Sequence, residues 1–242
     1  MSLNGGWPLP WKKACAILVA IGHRSGEAIT LGNMGVILWR MGEPTQALTR
    51  HGAALTLDED LGNWDCVARH LSNIGIVHAD EGRYDEAMTV YTRAMTVHEK
   101  LNIPFHRCEL LVRKARLHLL REEVDEARRL NEEGLAVAVQ VGRADTLFEG
   151  RLLAARLAAL TDPAAARQIL DELATTTQRA DAQADVRNFE RWRLLGDAEA
   201  AAAALERYEA AYAQVPDARY RRRMDVLGNL AASRRPASPH RR

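Results

Sequence analysis

The chain repeats itself every 40 residues, and this period constrains its fold more than any other feature of the sequence. When the sequence is shifted by that interval, small and apolar positions in residues 31–62 coincide with equivalent positions in residues 71–102. The matched pairs are Asn33 with Asn73, Gly35 with Gly75, Gly42 with Gly82, Ala47 with Ala87, Ala54 with Ala94, and Leu61 with Leu101. Self-similarity at a period of roughly 20 to 50 residues is typical of stacked repeat proteins. The sequence therefore predicts an array of similar units, each buried against its neighbours.

A third unit continues the pattern with drifted glycines, and weaker copies follow beyond residue 150. Equivalent positions before residue 24 match the second half of a unit, so the sequence opens in mid-repeat. Either a preceding helix was cut away, or the first ten residues replace it as a cap. We expect an N-terminal extension or cap over residues 1–10, a helical repeat domain over 11–214, a capping helix over 215–230 and a disordered basic tail over 231–242.

Each unit is predicted to contain two helices. A first helix is predicted over Thr30–Met41, ending at Gly42, and a second over Pro44–Leu61, because proline is tolerated in a first helical turn. Similar turn signals recur at Asp162-Pro163 and Gly196-Asp197. Aromatic residues make up only 5% of the chain, and the apolar content leans on Ala and Leu. This composition favours helix over sheet, so we predict an all-α fold.

These units resemble tetratricopeptide repeats. The pattern of that family is visible as Leu31-x2-Met34-Gly35-x2-Leu38 followed by Ala47-x3-His51-x2-Ala54, and it recurs 40 residues later. The family's commoner repeat has about 34 residues, so the longer unit resembles the subclass of kinesin light chains and of sensor regions in large bacterial signalling regulators. The resemblance covers about residues 11–214 and implies a right-handed α-α superhelix of about five helical hairpins plus flanking helices. It also implies close approach of paired helix backbones at small residues, namely Gly35, Gly75, Ala115, Ala47, Ala87 and Ala127.

One face of each first helix mixes polar and apolar residues. Leu31, Met34, Gly35 and Leu38 form an apolar stripe that we assign to the core. The opposite face carries Ile29, Asn33, Val36 and Arg40 in the first unit, then Arg69, Asn73, Ile76 and Asp80, then Glu109, Arg113, Arg116 and Leu120. Stacked repeats with such a mixed face line a concave binding surface. The candidate peptide-binding residues are Asn33, Val36, Arg40, Arg69, Asn73, Ile76, Arg113, Arg116 and Arg156.

Asn33 and Asn73 are the most specific pair in this set. In the family that the chain resembles, an Asn at the matching place binds the backbone of an extended peptide, and a carboxamide suits this because it both donates and accepts. The alternative is a surface Asn that bonds water or its own helix. The arginines favour an acidic partner or a C-terminal carboxylate, because a guanidinium offers a planar fork of donors. Nearby acidic residues, including Glu109 and Asp80, dilute that charge.

Composition and charge exclude several functional classes. The net charge is +1, so no overall field selects nucleic acid or membrane. Residues 217–242 carry eight Arg against two Asp, but no aromatic residue is interleaved in the final "SRRPASPHRR", so we do not expect nucleic-acid contact. Three cysteines without CxxC spacing indicate a reducing compartment. No apolar run approaches the ~20 residues of a membrane span, and we predict a cytoplasmic protein.

No metal, cofactor or catalytic site is expected. Cys66 and His70 lie one helical turn apart, but a metal needs three or four converging ligands and no further spacing supplies them. We place His106 and Cys108, near Pro104, in a loop before the third first helix. Nucleophile elbows, phosphate loops and dinucleotide fingerprints are missing from the sequence, so we expect no enzymatic activity.

The leading hypothesis is a non-enzymatic scaffold whose concave groove binds a peptide segment of a partner protein. An alternative is the sensor or regulatory region of a bacterial signalling or transcription regulator that reads a small molecule or a signalling peptide. A further alternative is a self-associating module, a homo-oligomer in which residues 1–10 or the basic tail lie in a neighbour's groove.

Overall fold

The computed structural model describes residues 13, 16–18, 20–176 and 183–233, with the side chains of the last helix described as far as residue 228. Every regular element in those residues is an α-helix, which confirms the predicted all-α class. The cap predicted over residues 1–10 and the basic tail beyond residue 233 lie outside the described residues. None of the described helices is long and apolar enough to cross a bilayer. The chain divides into two compact units, Met1–Gly150 and Arg151–Arg242.

The first unit is a run of helical hairpins that pack in chain order. Each first helix contacts the second helix of its own repeat, and each second helix contacts the first helix of the next repeat. The helices are α1 Arg24–Arg40, α2 Pro44–Leu61, α3 Trp64–Asp80, α4 Tyr84–Lys100, α5 Pro104–Leu120 and α6 Val124–Val141. A seventh helix, α7 Ala144–Ala159, begins in this unit and continues into the second.

A residue with left-handed backbone geometry recurs every twenty positions at the helix ends of the first unit. Glycine tolerates this geometry because it has no β-carbon, whereas other residues pay a steric cost. The residues and their φ angles are Gly22 68°, Gly42 82°, Gly62 69°, Gly82 75°, Asn102 52°, Glu122 65° and Gly142 69°. The helix stops predicted at Gly42 and Gly82 are thereby confirmed, and the series continues through two positions where the sequence has lost glycine.

The predicted core stripe is confirmed, since Leu31, Met34, Gly35 and Leu38 are all buried. Gly35 and Gly75 receive the rings of His51 and Tyr91, which come from the second helix of the same repeat. A β-carbon at position 75 would lie only 2.2 Å from Tyr91 Cε1. The close approach at these glycines is therefore between backbone and ring, and not between two backbones as the sequence suggested.

The second unit contains four further helices, α8 Pro163–Thr176, α9 Ala184–Leu195, α10 Ala198–Gln214 and α11 Ala218–Ser233. Its core is aromatic, with Tyr208 buried against Phe189, Trp192 and Leu227. Both predicted helix starts are confirmed, because Asp162 accepts from the amide of Ala164 at 3.0 Å and Asp197 accepts from that of Ala200 at 3.1 Å. The helix predicted over residues 215–230 corresponds to α11.

Two local predictions were wrong. The first helix begins at Arg24, six residues before the predicted Thr30, because His23 caps it by accepting from the Gly26 amide at 2.9 Å. Histidine is an unusual cap and Gly26 is a poor helix former, so the sequence signal was weak there. His106 and Cys108 lie within α5 and not in a loop, since Pro104 occupies the first turn of that helix.

Glu122 adopts left-handed geometry where the two preceding repeats have glycine. Glu122→Gly is therefore expected to raise the free energy of unfolding by about 1 kcal/mol, because it removes the steric cost of a β-carbon in this region. Glu122→Ala is the matched control and should give no such gain, since alanine pays the same cost. Urea unfolding followed by circular dichroism measures both, and equal stability of the two variants would contradict the strain.

Gly75→Ala should lower the free energy of unfolding by about 1 to 3 kcal/mol, because the added methyl group overpacks the Tyr91 ring. Gly52→Ala is the control, since Gly52 also lies within a helix but has nothing within 4 Å of its would-be β-carbon. That substitution should stabilise the protein by about 0.5 to 1 kcal/mol through helix propensity. The packing at Gly75 would be refuted if the two variants shifted the urea midpoint in the same direction.

Candidate functional site

Two cavities lie on the face of the first unit that carries Asn33, Asn73 and Arg113, which we call the inner face. The Asn33 cavity, between α1 and α3, has a volume of about 210 Å³. Its walls are Ile29, Gly32, Asn33, Val36, Arg69, His70 and Asn73. Four of the predicted site residues, Asn33, Val36, Arg69 and Asn73, are thus brought together in one hollow. That these residues bind a peptide stays a prediction.

The second hollow, the His98 cavity, also has a volume of about 210 Å³. It is bounded by α3, the end of α4, α5 and the turn after α6. Its walls are Asp65, Arg69, Ser72, Asn73, His98, His106, Glu109, Leu110, Arg113 and Arg143. Arg69 and Asn73 belong to both cavities and form the wall that they share.

The two cavities are the same inter-repeat hollow, displaced by one period. Six of the wall positions of the Asn33 cavity map onto walls of the His98 cavity when 40 is added to their numbers. The correspondences are Ile29 to Arg69, Gly32 to Ser72, Asn33 to Asn73, Arg69 to Glu109, His70 to Leu110 and Asn73 to Arg113. The same backbone geometry therefore carries one formally charged side chain, Arg69, in the wall of the first cavity and five in the wall of the next.

Three polar side chains of the Asn33 cavity, those of Asn33, Asn73 and Arg69, have no oxygen partner within the described residues. The carboxamides of Asn33 and Asn73 form no hydrogen bond to another group of the described protein. Arg69 is exposed and, in that part of the chain, donates only to Cys66 Sγ, at 3.1 Å. A carboxamide and a guanidinium without protein acceptors can bind the main chain or a carboxylate of a ligand.

The polar groups of the third repeat are paired within the protein. Arg113 donates to Ser72 Oγ and to the Glu109 carboxylate. The Glu109 carboxylate also forms an ion pair with the Arg143 guanidinium, at 2.6 Å. Arg143 in turn donates to the carbonyl of Phe105 at 2.8 Å and lies over the ring of that residue. Arg113 is therefore at the predicted face but holds neighbouring repeats together.

The other predicted residues lie outside the two cavities. Arg116 is half-exposed and lies 3.8 Å from Asp80, whose carboxylate also accepts from Trp39 Nε1 at 2.8 Å. Asp80 thus links three successive first helices. Arg40 is exposed and Ile76 is half-buried, and neither lines a cavity.

Arg156 belongs to the second unit, so it is not part of the set around Asn33 and Asn73. Its guanidinium donates to both carboxylate oxygens of Glu190, at 2.5 and 3.0 Å. Burial alone would raise the pKa of Glu190, but the Arg156 and Arg193 guanidiniums outweigh that effect and lower it. Arg156 therefore stabilises a buried carboxylate of its own unit.

A buried polar cluster lies behind the Asn33 cavity. Asp58 faces His70 Nε2 at 3.1 Å and accepts from the side chain of Asn63 at 3.0 Å. Because the carboxylate accepts at Nε2, we assign the ring hydrogen to that nitrogen, which leaves Nδ1 without a partner. His51 lies nearby, with its ring centroid 5.9 Å from that of His70. Burial, with a smaller contribution from His70, lowers the pKa of His51 to about 4.

Sequence reasoning missed the residues that do not lie on the periodic inner face. His98 comes from the end of α4 and Arg143 from the turn after α6, and His106 had been placed in a loop. Their convergence with Glu109 depends on how the hairpins stack, which no spacing in the sequence records. No three His, Cys, Asp or Glu side chains in the described part of the chain converge as metal ligands, and His70 is held by Asp58.

Residues 26–100 match the family model of the tetratricopeptide repeat, which confirms the resemblance over that segment. No curated protein matches the chain. The solved structure of aspartyl phosphate phosphatase F from Bacillus subtilis is similar, with a TM-score of 0.73 and 15% identity over 92% of this chain and 62% of that one.

Two further solved structures are similar. A Rap protein complexed with competence and sporulation factor has a TM-score of 0.63 and 16% identity, over 93% of this chain and 59% of that one. The apo form of RapI has a TM-score of 0.50 and 12% identity, over 89% of this chain and 83% of that one. At these identities the likeness concerns the fold alone. The chain spans 62% and 59% of the length of the first two structures.

The depressed pKa of His51 predicts that stability falls with acidity. The folded protein keeps this ring neutral, whereas an unfolded chain binds a proton below the ordinary pKa of 6.5. The stabilisation is therefore complete above that value and is lost as the pH falls toward 4. Between about pH 7.5 and about pH 5, His51 should account for about 2 kcal/mol of lost unfolding free energy.

Urea unfolding at the two pH values measures this loss in the wild type and in His51→Tyr. Tyrosine is the residue that the next repeat uses at the equivalent position 91, and it does not titrate in this range. The variant should lose less stability on acidification than the wild type. An identical decline in both proteins would contradict the assignment to His51.

Proposed function

We propose that this tetratricopeptide-repeat chain binds an extended segment of a partner protein over the Asn33 cavity, as a non-enzymatic interaction scaffold. The observation that carries the proposal is the pair of carboxamides, Asn33 and Asn73, which line one hollow and lack protein partners among the described residues. A polar group that could bond within its own fold but does not is available to a ligand backbone.

The chemistry of the cavity supports a peptide with an apolar side chain. Ile29 is 49% exposed on the same inner face, and Val36 is half-buried beside it. Such residues gain free energy when a ligand covers them, at about 25 cal/mol for each Å² removed from water. Carboxamides one repeat apart then hold the main chain while Ile29 and Val36 receive a side chain.

An acidic side chain or a C-terminal carboxylate is the proposed charged feature of the peptide. Arg69 supports this, because it borders both cavities and its only described acceptor is a cysteine sulfur. Arg40 and Arg116 add positive charge beyond the cavities, while Arg113 and Arg156 are engaged by Glu109 and Glu190. We therefore assign the primary carboxylate contact to Arg69, in a protein that we propose to be cytoplasmic.

A second candidate is the sensor region of a bacterial regulator that reads a signalling peptide. The similarity in fold to a Rap protein complexed with competence and sporulation factor favours it. Both candidates use the same groove and differ in the ligand: a folded partner's exposed segment in one case, a free short peptide in the other. A genomic reading frame that joins this chain to a DNA-binding or nucleotide-binding module would support the sensor. Self-association is a third possibility, which light scattering would detect.

A random peptide library displayed on phage, selected on the wild-type protein, tests the binding function. Selected peptides should lose about 1 to 3 kcal/mol of binding free energy for each carboxamide removed in Asn33→Ala and Asn73→Ala. Isothermal titration calorimetry with the synthetic peptides measures the loss. Gln140→Ala is the matched control, because it removes an exposed carboxamide that lines neither cavity.

Circular dichroism should show unchanged helix content in all three variants. The proposal is wrong if no peptide is enriched, or if the enriched peptides bind the Asn33→Ala, Asn73→Ala double variant as tightly as the Gln140→Ala control.

A further inference from the structure

We propose that the His98 cavity is an oxyanion site in which His98 takes up a proton when the anion binds. The inference deepens the proposed function and rests on it for the source of the anion, a carboxylate or phosphate group of the bound peptide. Three observations support it: the guanidiniums around the cavity, the state of its carboxylates, and the position of His98.

Three guanidiniums line the cavity against two carboxylates. Arg69, Arg113 and Arg143 are the cations, and Asp65 and Glu109 are the anions. The Glu109 carboxylate forms ion pairs with both Arg113 and Arg143, so its charge is compensated within the protein. Asp65 is half-exposed and faces His106 Nε2 at 4.0 Å. Arg143 is also bound by Asp145, at 3.1 Å, so Arg113 and Arg143 both have carboxylate partners. Arg69 is the lining cation that lacks a carboxylate partner in the described residues.

The His98 side chain lines this cavity and is buried, with a relative exposure of 3%. Its Nδ1 has no hydrogen-bond partner within the described part of the protein. A buried imidazole without a partner is a costly group unless a ligand or a proton uses it. His98 is thus a second feature, independent of the arginines, that points to an occupant.

The ring of His106 is the aromatic neighbour of His98 in the cavity wall. The two rings are stacked, with centroids 5.1 Å apart and planes inclined by 23°. Arg143 Nη1 lies 3.3 Å from His106 Nδ1, and because arginine is always a donor, His106 accepts there. Among the described residues no carboxylate hydrogen-bonds to His98, although Asp65 and Glu109 lie near enough to act on its charge.

Burial, followed by the neighbouring His106, lowers the pKa of His98, while Asp65 and Glu109 act in the opposite direction. The charged and titratable groups around it are Asp65 and Arg69 on α3, His106, Glu109 and Arg113 on α5, and Arg143 in the turn after α6. An oxyanion in the cavity adds negative charge to that of Asp65 and Glu109 and so raises the pKa of His98. Proton uptake then accompanies binding, so affinity increases as the pH falls.

The test uses sodium sulfate and sodium acetate as probes of the full-length protein, because neither changes charge between about pH 6 and about pH 8. Histidine Cε1 proton resonances are followed by NMR across this range, with sodium chloride at equal ionic strength as the reference. Either oxyanion is expected to raise the midpoint of His98. The His23 resonance is the internal control, since His23 is exposed at the start of α1 and lines neither cavity, and it should not move.

The two probes distinguish the sources of the anion. A shift with sulfate alone indicates a tetrahedral group such as a phosphate, and a shift with acetate indicates a carboxylate. If neither anion moves the His98 midpoint, or if the His23 resonance responds by the same amount, the proposal is overturned.

Affinity provides a second readout. The wild type should bind the effective anion about tenfold more tightly at about pH 6 than at about pH 7.5, and His98→Asn should abolish that dependence on pH. Arg69→Gln, at an exposed position, should weaken binding at both pH values and keeps the test valid if His98→Asn does not fold. An affinity that is independent of pH in the wild type, or unchanged in Arg69→Gln, would refute the site.

These outcomes are separate from those of the peptide selection. Anion binding at His98 without any selected peptide would leave the oxyanion site standing and remove the peptide function. Peptides that need Asn33 and Asn73 but whose affinity ignores His98 and pH would leave the function standing and remove this inference.

Discussion

A left-handed residue every twenty positions is the constraint on which the first unit depends. Each such residue ends a helix and turns the chain back, so helices of nearly equal length pack as hairpins with a constant register. Glycine supplies the geometry at five of the seven positions without steric cost. Asn102 and Glu122 adopt it despite their side chains, which indicates that packing of the hairpins on both sides outweighs a local cost of about 1 to 2 kcal/mol.

Constant register is what makes the inner face a series of equivalent hollows. Because the backbones repeat, residues 40 apart in sequence occupy the same place in successive cavities. Substitution at those places then changes the chemistry without changing the geometry. His70 becomes Leu110, Gly32 becomes Ser72, and Asn73 becomes Arg113, so neighbouring cavities present different walls to one ligand. A repeat fold can in this way read successive features of a peptide with successive units.

Pairing within the protein decides which of these polar residues face a ligand. Arg113 and Arg69 both line the His98 cavity. Arg113 is bound to Ser72 and Glu109, whereas the guanidinium of Arg69 donates only to a cysteine sulfur within the described residues. Each arginine has a carboxylate four residues before it, Glu109 for Arg113 and Asp65 for Arg69, so spacing along the helix does not by itself decide which guanidinium is paired.

The sequence by itself determined the period, the all-α class, most helix ends and the face that carries Asn33 and Asn73. These follow from local chemistry: glycine at left-handed positions, proline and aspartate in first turns, and apolar residues at helical spacing. It failed where the local signal was weak, at the His23 cap and at the helix that contains His106. Which polar groups are paired, and the convergence of His98, His106 and Arg143 on one hollow, were decided only by the tertiary structure. Those contacts join residues from different helices and a turn, and their distances depend on the stacking of hairpins, which leaves no periodic trace in the chain.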